Sequence, residues 1–267
     1  MAEWPNGARG ALCLSFDNLG VDEESSAAQA LPDLLKRLGE HDLPATFFAE
    51  GVNAELDPRA LREIAAAGHE VGYHAWRHET WGELTAAEQA ENLARGIDAF
   101  EALGLSVAGL RPPGGQFGSG GLDVLRAAGL RYCSPAGEGA GVETDMALLP
   151  FQWRHVDATC LLPSLAPVRE QMTGSPDPLE PDAFLAYLEA EIERLEGEGG
   201  FLSIVLHLPL LEWLGGEGVG ALLARLAEAA DSGDLWLAGC AEAAEHVLSR
   251  PSEFGGGTRL DTTSWAA

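Results

Sequence analysis

The sequence predicts an α/β fold in which seven or eight parallel strands form a barrel, and three observations point to it. Short apolar runs alternate with segments of helical spacing along nearly the whole chain. The 267 residues, 46% of them hydrophobic, suffice for one full core, and barrels of this length form single domains. Polar residues with chemical potential stand where the strand-like runs end: Asp17, His74, Arg111, Asp157 and His207. That end of the strands is where barrel enzymes carry their chemistry. No glycine-rich phosphate loop follows the first strand, which argues against a nucleotide fold.

The elements follow in order. Ala11 to Phe16 is an apolar run ending at Asp17, and the spacing of Ala28, Leu31, Leu34, Leu35 and Leu38 predicts a helix from about Ser25 to Gly39. Pro44 to Ala49 is the next strand, followed by a helix from Pro58 to Ala67 that stops at Gly68, a residue suited to a left-handed cap. Glu70 to Tyr73 is the third strand. Thr85 and Glu88 have the spacing of a capping box and start a helix that closes at Gly104. Strands follow at Val107 to Leu110, Leu130 to Ser134 and Ala147 to Trp153, with a helix from Gly121 to Ala128 between the first two. The proline-rich stretch from Leu161 to Pro181 reads as irregular. Then come a helix from Asp182 to Glu196 and the almost uniformly apolar Phe201 to His207, the pattern of a strand buried on both faces. A helix from Val219 to Ala230, a strand from Leu235 to Ala238 and a helix from Cys240 to Ser249 complete the alternation. Residues 1–250 thus read as one domain and 251–267 as a polar, glycine-rich tail, either frayed or laid on a neighbouring surface.

Charge narrows the partners. Forty-two acidic against 16 basic residues give a net charge of -26, which repels nucleic acid, anionic membranes and polyanionic glycans. The expected partners are a small molecule or a neutral or cationic glycan, with self-association left open by the tail. The first residues have neither a basic nor an apolar signal region, so the expectation is that the chain is cytoplasmic or lacks its leader. Cys13, Cys133, Cys160 and Cys240 are scattered with no CxxC pair and read as buried thiols, not metal ligands.

The most informative stretch is Glu70 to Trp81. There His74 and His78 lie four residues apart where a strand gives way to a turn, a spacing that lets two imidazoles converge on one divalent cation. Each site residue taken singly has a plainer reading: Asp17 as a helix cap, Arg111 as a structural ion pair, His207 as a satisfied core histidine. His41 and His69 read as structural, since His69 precedes its strand, and His155 stands between site edge and surface.

Taken together the motifs resemble a known family, the polysaccharide deacetylases of the NodB-homology type, also called family four carbohydrate esterases. Ser15-Phe16-Asp17-Asn18 resembles the family's first motif, His74-Ala75-Trp76-Arg77-His78 its second, Arg111-Pro112-Pro113-Gly114 its third and Val205-Leu206-His207 its fifth. Trp153-Arg154-His155-Val156-Asp157 matches the fourth only loosely. The resemblance implies a distorted (β/α) barrel holding zinc, or cobalt or nickel, that hydrolyses an N-acyl group, typically the acetyl of an amino sugar or polysaccharide. It implies Asp17 as general base, His74 and His78 as metal ligands, Arg111 as the residue that orients the base and His207 as general acid. A nearby carboxylate would help by raising the pKa of His207, and Asp157 is the candidate.

One position departs from the family pattern. Asn18 replaces the usual metal-ligating aspartate; its amide oxygen can still coordinate but brings no charge. Asn18 ligates weakly, or Asp22 or Glu23 supplies the missing carboxylate, or the metal is lost; the persistence of both histidines and of His207 favours a retained metal. Small cytoplasmic amides such as cyclic imides or ureides are an alternative substrate class. Trp76, Trp81, Trp153 and Phe117 lie near the predicted site loops and could stack on a sugar or on a planar heterocycle. The rival readings are a metal-free binding protein on the same barrel and, ranked lower, a two-carboxylate glycosidase.

Overall fold

The computed structural model describes residues 3–22 and 29–263. Its strands are β1 (Gly10–Asp17), β2 (Thr46–Ala49), β3 (Glu70–Tyr73), β4 (Gly109–Leu110), β5 (Tyr132–Cys133), β6 (Gly137–Glu138), β7 (Gly141–Glu143), β8 (Met146–Leu148), β9 (Gly200–His207), β10 (Leu235–Leu237) and β11 (Arg259–Leu260). The helices are α1 (Leu31–Glu40), α2 (Asn53–Leu56), α3 (Pro58–Ala66), α4 (Ala86–Glu101), α5 (Gly121–Ala127), α6 (Ala166–Thr173), α7 (Pro181–Glu198), α8 (Leu211–Ser232), α9 (Cys240–Ser249) and α10 (Pro251–Phe254). The start of the first predicted helix, Ser25 to Ala28, falls outside the described residues.

Among the described residues nine strands form one curled sheet in the order β10-β1-β2-β3-β4-β5-β8-β7, with β9 on β1. Every pairing is parallel except that of β7 with β8. A single parallel bridge from Val156 to Val205 brings the segment after β8 back to β9, so the sheet curls toward closure. The result is the expected distorted α/β barrel. Every residue of β1 is buried, because helices cover one face and the barrel interior the other. β1 and β9 run in register over their whole length, from Gly10 opposite Gly200 to Asp17 opposite His207.

Local signals behave as the chemistry requires. Thr85 and Glu88 form the reciprocal capping box at the start of α4. Gly68 has φ 87° just beyond α3. Gly96 serves close approach instead: a Cβ there would lie 2.1 Å from the Tyr73 ring, so only glycine lets α4 press on the residue that precedes His74. Tyr73 in turn has its hydroxyl 2.8 Å from the Asn92 backbone oxygen on the same helix.

Several expectations are corrected. The stretch from Leu161 to Pro181 is not wholly irregular, because it contains α6 and a 3-10 turn at Pro163–Leu165. Pro163 and Pro167 each stand in the first turn of a helical segment, where the missing N–H costs nothing. The strand predicted from Ala147 to Trp153 ends at Leu148: Pro150 cannot donate to a ladder, and Trp153–His155 is a 3-10 turn. The helix predicted from Val219 is longer, with a break at Gly215, where φ is 72°. Of the two arrangements expected for the tail, its described residues up to Thr263 adopt the second and lie on the body of the fold, since β11 pairs antiparallel with β6 and Gln116 donates to the Thr262 carbonyl. All four cysteines are free and buried. Among the described residues no helix is long and apolar enough to cross a membrane.

Candidate active site

The strand ends converge on a cleft of about 280 Å3 whose floor carries Asp17, Asn18, His74, His78, Arg111 and His207. All of these were read from sequence. Asp17 ends β1 and is buried against Arg111, whose Nη1 donates to its Oδ1 at 2.7 Å. Burial pushes the Asp17 carboxyl above its usual range, while Arg111 and His207 oppose that rise. Arg111 is itself fixed on every side: it donates to the hydroxyls of Ser15, Ser134 and Ser203 and lies 4.2 Å from the centre of the Phe48 ring. A buried charge so completely paired is costly to unpair, by about 3–5 kcal/mol when one partner is lost.

Beside this pair stand the imidazoles. The Nδ1–H of His74 donates to the Arg111 carbonyl at 2.7 Å, which fixes the tautomer and leaves Nε2 with a free lone pair. Burial and the neighbouring His78 hold His74 well below its ordinary pKa, so it is neutral. The two rings are 4.9 Å apart, centre to centre. His78, Ala75 and Asn18 all adopt left-handed backbone, with φ of 62°, 62° and 64°, a concentration of strained positions typical of functional sites. The side-chain oxygen of Asn18 is buried without a hydrogen-bond partner. Two imidazoles and an orphaned amide oxygen on one cleft floor are a donor set that fits a divalent cation. Among the described residues no group of three His, Cys, Asp or Glu side chains is placed to hold one, so Asp22 does not complete such a group; Glu23 lies outside the described residues.

Across the cleft, Asp157 is fully buried and accepts both the backbone N–H and the ring Nδ1–H of His207. Burial disfavours charge on His207, but the adjacent Asp157 carboxylate outweighs it and raises the imidazole above its ordinary range. His155 belongs elsewhere: it is buried, and its Nε2 lies 3.3 Å from Glu191 on α7. Of the four aromatics expected near the site, Trp153 lines the cleft, whereas Trp76 and Trp81 are core residues and Phe117 packs against the core.

Sequence reasoning missed Glu50. It follows β2, is buried, and accepts from the Leu19 N–H and the Asn53 amide, each at 3.0 Å, clamping the turn that holds Asn18. Burial pushes its carboxyl up to about 7. The available signal was a glutamate ending an apolar strand, the same signal that singled out Asp17.

Residues 6–133 match the family model described as Polysaccharide deacetylase. The resemblance carried by the motifs is to the polysaccharide deacetylases. A peptidoglycan deacetylase of Helicobacter pylori is 31% identical over 103 residues, 38% of this chain and 35% of that protein. A peptidoglycan-N-acetylglucosamine deacetylase of Bacillus cereus is 31% identical over 106 residues, 39% of this chain and 36% of that protein. The matched region thus spans about a third of the length of these relatives. A Mycobacterium smegmatis crystal structure, of a protein proposed to be a polysaccharide deacetylase, superposes with TM-score 0.79 at 25% identity over 98% of this chain and 97% of the other. The polysaccharide deacetylase likeness therefore covers motifs one to three in sequence and nearly the whole chain in fold.

Proposed function

We propose that the chain is a metal-dependent hydrolase of non-peptide carbon–nitrogen (amide) bonds. The observation that carries this reading is the pairing of Asp17 with His207 in the β1–β9 register, each held by its own opposite charge, Arg111 on one and Asp157 on the other. One group is arranged to take a proton and the other to give one. Asp17, with its pKa raised by burial, accepts the proton of the attacking water. His207, with Nδ1 committed to Asp157, presents Nε2 as the donor to the departing amine. Arg111 holds the base in position, and its many partners keep it from swinging away.

Asn18, His74 and His78 would hold the divalent ion, zinc first, with cobalt or nickel as alternatives. When bound it supplies Lewis-acid polarisation of the amide carbonyl and lowers the pKa of water toward ~7. The names of the curated relatives make an N-acetylated amino sugar the first substrate to try. The neutral Asn18 amide favours a second reading, a metal-free binding protein on the same barrel.

Elemental analysis of wild type and His74→Ala separates the two. About one equivalent of metal, lost with the histidine and accompanied by acetate release from N-acetylated substrates, supports the hydrolase. No metal after zinc addition, with ligand binding preserved, supports the binding protein.

A further inference from the structure

Resting on the hydrolase reading, we propose that the cleft takes a small N-acyl compound whose body around the scissile amide is apolar, not a hydroxyl-rich sugar ring. The cleft encloses about 280 Å3. A methyl group needs about the space of a water molecule, roughly 30 Å3, so an acetyl methyl alone would fill about a tenth of it. The walls indicate what fills the rest.

Above the polar floor the described lining includes Phe151, Val156, Leu162, Leu165, Val205 and Leu210. Among the described wall residues, Ser164 and Trp153 alone carry side-chain hydrogen-bonding groups. A hexosamine ring brings several hydroxyls that would lose water here without gaining partners, a penalty an apolar body escapes. Each methylene buried against such walls is instead worth about a fourfold gain in affinity.

Two further observations agree. Leu162, 42% exposed, is one of two large hydrophobics exposed among the described residues, and it carries the apolar wall to the mouth of the cleft. The net charge of -26 further disfavours a carboxylated or phosphorylated body.

The test is calorimetry of N-acetylbenzylamine against N-acetylglucosamine on the zinc-loaded full chain, using His207→Ala so that binding is read apart from turnover, with turnover followed in the wild type. The expected result is at least tenfold tighter binding of the benzylamide. Leu162→Asp at the exposed rim should weaken the benzylamide at least fivefold, and by a larger factor than it weakens the sugar. Equal or tighter binding of the sugar, or binding of neither compound, overturns the proposal. Tight benzylamide binding with no turnover of any amide leaves the pocket assignment standing and overturns the hydrolase reading. Preferred turnover of the sugar does the reverse.

Discussion

Asp157 grips His207 twice, its Oδ2 accepting the backbone N–H at 2.7 Å and its Oδ1 accepting the ring Nδ1–H at 2.6 Å. The first bond fixes where the strand ends, and the second fixes which ring nitrogen faces the cleft. One buried carboxylate thereby sets the position, tautomer and charge of the acid.

Replacing Asp157 with Asn should therefore move the pH profile as well as lower the rate. The native pKa of His207 is raised, so the imidazole stays protonated above its ordinary ~6.5. Without the carboxylate the alkaline limb of kcat/KM should retreat to lower pH, with a fall of about 100-fold at pH 8. The stability linkage has the same sign. The charge-dependent contribution of the pair is fully present below ~6.5 and is lost as pH rises through the raised native value. Denaturation of both proteins across that window should show the stability difference shrinking on the alkaline side.

Asn18→Asp should tighten metal binding. The backbone there is left-handed, with φ 64°, a conformation that aspartate tolerates nearly as well as asparagine. The change adds a negative charge to a site with two neutral imidazoles, and zinc affinity by competition with a chromophoric chelator should rise at least tenfold. An unchanged affinity would show that residue 18 is not a ligand.

Glu50→Ala should destabilise the fold by about 2 kcal/mol, because the Leu19 N–H and the Asn53 amide lose their buried acceptor. Glu50→Gln keeps one acceptor oxygen and should lose less. Urea denaturation midpoints give the comparison, and equal midpoints for all three proteins would remove Glu50 from the account.

Gly96→Ala should cost about 1–3 kcal/mol, since the new methyl would meet the Tyr73 ring and α4 or the ring must shift. Thermal melts read the loss directly. A neutral result would mean that the helix–strand contact relaxes freely.

The alternation of strands and helices was legible because β1 and β9 are buried on both faces and read as unbroken apolar runs. Asp17, His74, Arg111 and His207 were legible because each ends or follows such a run. Glu50, after the equally apolar Thr46–Ala49, was passed over because its partners, Leu19 and Asn53, lie 31 and three residues away and only folding brings all three together. The serines around Arg111 come from three different strand segments, so no local pattern announces them. His155, left open between site edge and surface, is at neither: its neighbours resemble a motif, but it is buried in the 3-10 turn after Pro150 and reaches Glu191 on α7. Only a parallel pairing 190 residues apart in sequence puts Asp17 opposite His207.

That pairing separates what can drift from what cannot. A strand slipped by one residue would turn its side chains to the wrong face, so the separation of acid and base is fixed by the backbone ladder and not by any loop. The apolar walls, by contrast, come largely from the short turns between Phe151 and Leu165 and from Leu210, outside the ladder. Selection, natural or in the laboratory, can therefore recut the walls for a new amide while the proton-handling pair stays in place.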